Sequence, residues 1–358
     1  MLVAPLDWGL GHATRCIPLI RALLLNGCEV VLAAEKAQAA LLQQEFPQLQ
    51  CLHLEGYRVR YSRSRWLLPL RIIMQVPRLL RIIKKEHAWL QEVLRSHRIN
   101  LVISDNRFGL YTDAVPCIFI THQLTIRAPF RWLEKKMQQV NYRYINRFTA
   151  CWVPDAAGEP NLAGVLSHPR LIPSIKPVYI GLLSRMQYEV TPKQYDYCIL
   201  LSGPEPQRSV LEEKICRGIA SISGNILLVR GLPGQEAELS LPSHVTVRNH
   251  LGTEAIQQAI LQSEYIICRS GYTTLMELVS LRKKAILIPT PGQTEQEYLA
   301  ERLFRSGTFY MVPQEMFSVE KDLIEASTFP YKHLDIPLFE ADEAGRLLSE
   351  TMATFVDQ

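Results

Sequence analysis

Short apolar runs alternate along this chain with longer stretches in which apolar residues recur at helical spacing. In the first half, the runs that predict β-strands lie at 2–6, 29–33, 51–54, 101–104, 117–121 and 150–153. Helical spacing is clearest at 15–25 and 77–94. Strands that alternate with helices are typical of a parallel sheet with helical crossover connections. We therefore predict an α/β domain over residues 1–166.

The second half repeats this plan. Its predicted strands lie at 197–201, 225–229, 245–247, 265–268, 285–289 and 309–312. Between the halves, residues 167–191 contain Pro169, Pro173, Pro177 and Gly181, which is typical of a linker. A second domain over 192–335 follows, and a final helical pattern within 336–358 has the length to pack back on the first domain. The predicted fold is α/β, with two Rossmann-like parallel-sheet domains facing a cleft.

Composition narrows the class of protein. The 358 residues, 47% of them hydrophobic, are enough for two cores, and a net charge of +4 does not by itself indicate nucleic acid. The 8 cysteines are scattered, with no Cys-x-x-Cys pair and no zinc spacing. No signal peptide precedes the first strand, and no run reaches the ~18 apolar residues of a membrane span. We expect a cytoplasmic protein that does not bind nucleic acid.

Polar groups follow four predicted strands of the first half. The segments are Asp7-Trp8-Gly9-Leu10-Gly11-His12, Ser104-Asp105-Asn106-Arg107, Thr121-His122-Gln123 and Pro154-Asp155. Any one of them is explained by the ordinary polarity of loops. Because the carboxyl ends of parallel strands share one sheet edge, the four together predict a site. A neutral imidazole at a helix start, as expected for His12, suits a general base.

The first loop also allows a different interpretation. Gly9 and Gly11 resemble the start of a dinucleotide-binding turn, and Glu35 lies about where a ribose-binding acid would be. The third glycine of that motif is replaced by Thr14, so the fingerprint is incomplete. An NAD-dependent oxidoreductase is therefore the alternative from another class of enzyme.

Three loops of the second half predict a nucleotide-sugar site. Their polar residues are Ser202, Gly203 and Arg208 in the first, Arg269, Ser270, Gly271, Thr273 and Thr274 in the second, and Gln293, Gln296 and Glu297 in the third. Small residues and hydroxyls at a helix start are ordinary caps. The same groups bind a diphosphate, whose charge a helix N-terminus favours. Glu277, one turn into the helix, is placed to accept hydrogen bonds from two vicinal ribose hydroxyls.

At these residues the chain resembles the two-domain GT-B glycosyltransferases. In particular it resembles the family 28-like enzymes that include the UDP-N-acetylglucosamine transferase of the peptidoglycan precursor. The resemblance rests on Gly9-Leu10-Gly11-His12 and on 263–300. It implies that His12 lies near the acceptor. It also implies the following donor contacts: Ser270, Gly271 and Thr274 at the phosphates, Glu277 at the ribose, Gln296 and Glu297 at the sugar, His250 and Leu251 at the base, and Arg208 at a phosphate.

Some residues depart from the family pattern. Asp7-Trp8 replaces glycines of the first loop, and Pro204 and Pro206 stiffen a loop that is usually rich in glycine. Glu297 stands where a second glutamine is usual, which leaves the donated sugar open.

We expect an inverting transfer in which His12, or alternatively Asp105, takes a proton from the acceptor hydroxyl. Asp7, Gly9, Gly11 and His122 are predicted on the acceptor side. Arg208 or Arg269, with the helix start, would stabilise the leaving nucleoside diphosphate. No Asp-x-Asp follows a predicted strand, so we expect no obligatory metal, and we expect no cofactor. A sugar-nucleotide epimerase of the same architecture and a non-catalytic nucleotide-sugar sensor remain alternatives.

The segment 58–98 is strongly basic, with apolar pairs between the charges. Its basic residues are Arg58, Arg60, Arg63, Arg65, Arg71, Arg78, Arg81, Lys84, Lys85, Arg95 and Arg98. Basic side chains near an anionic leaflet contribute ~1 kcal/mol each, so the segment is a candidate membrane contact. A lipid-linked acceptor would fit such a contact. A basic helix that packs on its own domain explains the pattern equally well.

Overall fold

The computed structural model describes residues 1–57, 68–127, 130–232, 234 and 239–356, with 68–76 and 131 described by their backbone alone. The chain forms two compact units. The second unit is Met186–Asp335, and the first combines the residues before it with those from Ile336 onward. The basic residues Arg58, Arg60, Arg63 and Arg65 lie outside the described residues.

The first unit contains a parallel sheet, with seven strands among its described residues, in the order β3-β2-β1-β4-β5-β6-β7. The strands are β1 (Leu2–Pro5), β2 (Val31–Ala34), β3 (Cys51–His53), β4 (Val102–Asp105), β5 (Cys117–Ile120), β6 (Ala150–Val153) and β7 (Pro177–Tyr179). The strand order reverses between β1 and β4, where Pro5 aligns with Asp105. The loops after β1 and β4 therefore flank the crevice in which open parallel sheets bind ligands.

Helices connect most of these strands, as is usual in a parallel sheet, whereas the described chain has no α-helix between β4 and β5 or between β6 and β7. They are α1 (Leu10–Leu25), α2 (Lys36–Glu45), α3 (Leu68–Ser96) and α4 (Arg131–Ile145). Ile17, Ile20 and Leu23 recur at helical spacing on α1 and are fully buried. This apolar face holds α1 against the sheet, so the start of α1 stays at the carboxyl ends of the strands.

The second unit has six parallel strands in its described part, in the order β10-β9-β8-β11-β12-β13. The strands are β8 (Tyr195–Leu200), β9 (Ile226–Val229), β10 (Val245–Arg248), β11 (Ser263–Cys268), β12 (Lys284–Leu287) and β13 (Tyr310–Met311). The helices are α5 (Gln207–Gly218), α6 (Thr253–Leu261), α7 (Tyr272–Ser280), α8 (Thr294–Arg305) and α9 (Val319–Thr328). Here the order reverses between β8 and β11, and the loops after these strands flank the crevice.

The last helix, α10 (Ala341–Val356), belongs to the first unit and packs on α1. Asn26 at the end of α1 donates from Nδ2 to the Ala341 carbonyl at 2.8 Å. A Cβ added to Gly345 would lie 2.7 Å from Asn26 Oδ1, so this approach needs a glycine. Ala344 and Leu347 are buried in the same contact face of α10.

The structure confirms the prediction of two parallel-sheet α/β units. The predicted strands are found with ends displaced by at most two residues. One strand was not predicted: β7 lies within 167–191, the predicted linker, and pairs in parallel with β6. Its 3 residues begin at Pro177 and are too short to stand out in the sequence.

Candidate functional site

Gly9 gives the loop after β1 its positive-φ backbone conformation, and residues distant in sequence fix the loop by hydrogen bonds. Gly9 precedes α1 with φ +85°, and a Cβ there would meet nothing within 4 Å. Gln38 of α2 donates from Nε2 to the Asp7 and Gly9 carbonyls at 3.1 and 3.2 Å. Asp7 Oδ1 accepts from the Tyr57 backbone N–H at 2.8 Å. The structure thus uses the Asp7 side chain, predicted on the acceptor side, to fix the loop.

At the start of α1, His12 is joined to the end of β4. His12 Nδ1 lies 2.9 Å from Asp105 Oδ2, with the His12 side chain 15% exposed and Asp105 1% exposed. Arg15, one turn further along α1, pairs with the same carboxylate through Nε, at 3.1 Å from each oxygen, and through Nη2. The predicted pair His12 and Asp105 is brought together, and the sequence analysis had not singled out Arg15.

The surroundings of His12 Nδ1 decide which ring nitrogen carries the proton. Asp105 Oδ2 can only accept at this nitrogen, whereas Arg15 Nη2, 3.0 Å away, can only donate. Arg15 Nη2 already donates to Asp105 Oδ1, and a hydrogen bond to a carboxylate is stronger than one to a neutral nitrogen. We therefore assign the Nδ1–H tautomer. Nε2 then carries the lone pair, and within the described residues it has no protein partner.

Asp105 stays ionised in this arrangement. Its burial would raise the pKa, but the Arg15 guanidinium and His12 outweigh burial and lower the pKa to about 2. A carboxylate with so low a pKa is a weak proton acceptor near neutral pH. The geometry therefore favours His12 over Asp105 as the base and leaves Asp105 to orient the imidazole.

A second histidine lies on the other side of Arg15. His122, after β5, is 4% exposed, and its Nδ1 is 3.0 Å from Arg15 Nη1. Because an arginine only donates, His122 Nδ1 is the acceptor and its proton is on Nε2. The structure thus joins His122, predicted on the acceptor side, to the same guanidinium as His12. Gly11 lies in the first turn of α1, beside His12.

Other polar groups at this sheet edge serve the fold. Arg107 pairs with Glu86 at 2.7 Å, both of them buried, and donates to the Pro5 carbonyl at 3.2 Å. Asp155 is buried and accepts from the Leu162 and Ala163 N–H groups at 2.8 and 2.9 Å. These contacts stabilise loops and do not join the cluster around His12.

In the second unit, the turn after β11 is anchored by Arg269. This side chain is 2% exposed, and its guanidinium donates to the carbonyls of Ile288, Pro289 and Gln207 and to Gln314 Oε1, at 2.5 to 3.2 Å. Burial lowers its pKa to about 10. Nε has no partner among the described residues, and the groups bonded to the guanidinium are uncharged. Arg269 therefore holds three loops together through uncharged hydrogen-bond partners, and Glu315 is the carboxylate that interacts with its charge.

Gly271 begins α7 and faces open space, because a Cβ there would meet nothing within 4 Å. Ser270 is buried, and its hydroxyl donates to the Gln296 carbonyl at 2.8 Å. Thr273 and Thr274 are partly exposed in the first turn. Glu277 is 6% exposed, within α7. The turn thus presents a helix N-terminus with a buried carboxylate behind it.

The loop after β12 is fixed by the start of α8. Gln296 Oε1 accepts from the Thr290 N–H at 2.9 Å, and Glu297 Oε1 accepts from the Gly292 N–H at 3.0 Å. Gln293 is the residue just before α8. Since its oxygen is held, the Gln296 amide keeps its two Nε2–H donors, which have no partner in the described chain.

The loop after β8 leads to Arg208, which forms ion pairs within its own unit. Arg208 is 6% exposed and pairs with Glu205 at 2.5 Å and with Glu212 at 3.2 Å. These two carboxylates satisfy the guanidinium, which argues against the predicted phosphate contact. Gly203 is exposed with φ +102°, and Ser202 precedes it. A Cβ on Gly203 would lie 3.6 Å from the buried Thr290 Oγ1, which has no partner among the described residues, and 4.0 Å from Arg269 Nε.

The loop after β10 contains His250, exposed, and Leu251, partly exposed, just before α6. Next to it lies a residue that the sequence analysis missed. Arg230, at the end of β9, pairs with Glu212 at 2.6 Å and donates from Nη1 to Asn249 Oδ1 at 3.0 Å. This contact fixes the position of the loop.

The described residues contain no group of three or more His, Cys, Asp or Glu side chains arranged to hold a metal ion. No described helix is both long enough and apolar enough to cross a membrane.

The turns after β11, β12 and β13 of the second unit fall within a known family domain. Residues 250–331 match the family model described as the glycosyltransferase family 28 C-terminal domain. This segment includes the turn 269–271, α7 and the start of α8. The predicted resemblance to family 28-like glycosyltransferases is therefore confirmed for this part of the chain.

Two relatives have the same name, UDP-N-acetylglucosamine–N-acetylmuramyl-(pentapeptide) pyrophosphoryl-undecaprenol N-acetylglucosamine transferase. The protein of Lawsonia intracellularis is 40% identical over 70 residues, which is 19% of this chain and 19% of that protein. The protein of Pasteurella multocida is 29% identical over 128 residues, 34% of this chain and 36% of that protein. The matches thus span only a fifth to about a third of these relatives.

Solved structures extend the likeness to the whole fold. MurG of Acinetobacter baumannii superposes with a TM-score of 0.55 at 14% identity, covering 98% of this chain and 94% of that one. The glycosyltransferase VinC in complex with dTDP gives a TM-score of 0.55 at 13% identity, covering 100% of both chains. At such identities the likeness establishes the GT-B fold.

Proposed function

We propose that this chain is an inverting glycosyltransferase that moves a sugar from a nucleoside-diphosphate sugar, with uridine as the nucleoside, to an acceptor hydroxyl. The observation that supports it most is that the family 28 match at 250–331 includes an open helix N-terminus at Gly271, with the buried Glu277 on the same helix. The fold alone would not distinguish a transferase from other users of parallel sheets.

The donor side of the proposal rests on charge. A diphosphate at Gly271 would interact with the N-terminus of α7, where helix dipole and N–H groups favour an anion. The buried charge of Arg269, whose hydrogen-bond partners are uncharged, adds to the same positive potential. Arg269 thus supports the leaving diphosphate mainly through its field, because most of its donors are occupied by carbonyls.

The sugar and nucleoside contacts follow from the neighbouring residues. Glu277 accepts hydrogen bonds from ribose hydroxyls, and the Gln296 Nε2–H groups donate to sugar hydroxyls. Thr273 and Thr274 offer further hydroxyls at the helix start, and main-chain groups near His250 and Leu251 contact the base. The relatives that share this segment are named for N-acetylglucosamine transfer. Glu297, where that family has glutamine, leaves the sugar undecided.

The acceptor side rests on the His12 and Asp105 pair. His12 Nε2 takes the proton of the acceptor hydroxyl while the hydroxyl oxygen forms a bond to the anomeric carbon of the donor sugar. The bond from that carbon to the phosphate oxygen breaks, and the nucleoside diphosphate leaves with the electron pair. Asp105 stabilises the imidazolium that forms, as in other histidine–carboxylate pairs. A single displacement of this kind inverts the anomeric centre.

A thermal-shift panel of UDP, GDP, dTDP and NAD tests the donor. A ligand at 100 times its dissociation constant stabilises the protein by about 2.7 kcal/mol, so we expect a clear rise in Tm with UDP and the smallest rise with NAD. Transfer of labelled sugar from the preferred donor to an added alcohol or lipid-linked acceptor then separates a transferase from an epimerase. A rise with NAD alone would contradict the proposal.

We also propose that the first unit contacts an anionic membrane surface. On α3 the described side chains of Arg78, Arg81, Lys84 and Lys85 are exposed, with Leu80 41% exposed among them. At the start of α4, Phe130 and Trp132 are 57% and 61% exposed and their rings stack at 6.4 Å. Exposed aromatic rings beside basic groups are typical of interfacial binding.

A double variant, Phe130→Ser with Trp132→Ser, should weaken binding to phosphatidylglycerol vesicles by at least about tenfold, because burying one such ring contributes about 1.5–3 kcal/mol. Co-sedimentation at low salt measures the effect. Leu25→Ser is the matched control, since Leu25 is 77% exposed at the end of α1. Wild-type protein that stays in the supernatant would refute the membrane contact.

A further inference from the structure

Arg15 has more partners at the site than any role in folding alone requires. It is 2% exposed on α1, one turn after His12. Its Nε and Nη2 donate to the Asp105 carboxylate, its Nη1 lies 3.0 Å from His122 Nδ1, and its Nη2 lies 3.0 Å from His12 Nδ1. One planar guanidinium thus joins both histidines to the single carboxylate between them.

We propose that Arg15 is a positioning residue that holds Asp105 and His122 around His12, so that His12 presents Nε2 as its proton-accepting nitrogen. The inference rests on the proposed function, because it gives the proton acceptor of that reaction its orientation. Arg15 contacts neither substrate in this scheme and acts through the groups that it fixes.

The charges around Asp105 explain why an arginine is needed. From α1 the carboxylate faces Arg15, His12 and the Cys16 thiol, whose Sγ is 3.9 Å away. From β1, Pro5 aligns with it in the sheet and offers no charge. From the loop after β5, His122 reaches it only through Arg15. Among the described residues, Arg15 is the permanent cation in contact with this carboxylate, and without it Asp105 would be buried beside only the His12 ring and the Cys16 thiol.

The shape of the guanidinium matters as well as its charge. Arginine reaches the carboxylate with one edge and His122 with another nitrogen, which a lysine ammonium cannot do in one geometry. A buried ion pair by itself is weak evidence for a contribution to stability. The positioning role rests on the contacts with two histidines and not on the ion pair.

The first test needs no activity. In protein labelled with ¹⁵N at histidine, the imidazole ¹⁵N shifts and two-bond couplings should identify the Nδ1–H tautomer of His12 and the Nε2–H tautomer of His122. In Arg15→Met, and to a smaller degree in Arg15→Lys, His122 should lose its single tautomer, because the Arg15 N–H group that makes its Nδ1 an acceptor is absent. The control is Arg21→Met, because Arg21 lies on the same helix and is 48% exposed. A wild-type His12 with its proton on Nε2 would overturn the proposal even if Arg15→Met fails to fold.

The second test is kinetic. Misplacement of a reacting group by about 1 Å costs on the order of 10² in rate, so Arg15→Met should lower kcat by about 10–100-fold while the KM for the donor is unchanged. In a His12→Ala background the same change should cost little more, because the two residues act as one unit. Additive losses, or a KM for the donor that rises together with the loss of kcat, would assign Arg15 a structural role. If the tautomers are as assigned and wild-type protein transfers no sugar, the proposed function fails and the positioning role stands.

Discussion

Replacement of His12 by alanine should lower kcat for sugar transfer by about 10²–10⁴-fold, which is the usual contribution of a positioned general base. Donor affinity should not change, because the donor groups proposed here all lie in the second unit. The physical reason is that no described neighbour can replace Nε2: Asp105 has a pKa of about 2 and is buried. Steady-state rates of labelled-sugar transfer, with UDP affinity measured by calorimetry, provide the test.

His53→Ala is the control for this variant, since His53 is an exposed histidine at β3 of the same unit. It should leave both kcat and UDP affinity unchanged. Wild-type turnover by His12→Ala would remove His12 from the mechanism. A parallel loss of UDP affinity in that variant would instead mean that the substitution disturbs more than proton transfer.

Replacement of Glu277 by glutamine should weaken UDP binding by about 10–150-fold, because a hydrogen bond that involves a charged group contributes about 1.5–3 kcal/mol. Wild-type protein should also bind UDP more tightly than 2′-deoxy-UDP, and the variant should discriminate less between them. The loss of discrimination is the sharper measurement, because a general disturbance of α7 would weaken both ligands equally. Calorimetric titration of both nucleotides gives the two ratios.

Glu301→Gln is the matched control, since Glu301 is an exposed glutamate on α8 that pairs with Arg305. Its nucleotide affinities should equal those of the wild type. If Glu277→Gln kept the full preference for UDP over its 2′-deoxy analogue, Glu277 would not contact the ribose.

The sheets of both units could be predicted because buried parallel strands are nearly continuous apolar runs. Cys117–Ile120, for example, is apolar throughout and buried throughout. The same pattern predicted the sheet edge at which the polar residues lie, because the carboxyl ends of parallel strands are all on one side of the sheet. This is why His12 and Asp105, 93 residues apart, could be named together.

The direction of a side chain was not predictable in the same way. Arg208 and Arg269 were both expected to face a phosphate, yet Arg208 is held by Glu205 and Glu212, and Arg269 by main-chain carbonyls. The acids at three residues before and four after Arg208 were a readable signal of local pairing. The carbonyls around Arg269 come from loops distant in sequence and left no such signal.

Arg15 was overlooked because it lies in an otherwise apolar helical run. Its spacing of three residues from His12 places both on one face of α1, which is the signal that could have found it. The loop-fixing contact of Asp7 was not predictable for the opposite reason. Its partner, the Tyr57 N–H, is 50 residues away, and nothing local to Asp7 indicates it.

The return of α10 to the first unit has a consequence for the order of the chain. The polypeptide passes from one unit to the other near residue 185 and again near 335, so the second unit is inserted into the sequence of the first. Helix α1, which carries His12, packs against α10. An exchange of the second unit between relatives therefore requires two junctions. A single junction near residue 185 would exchange α10 as well and would so replace the helix that packs on α1.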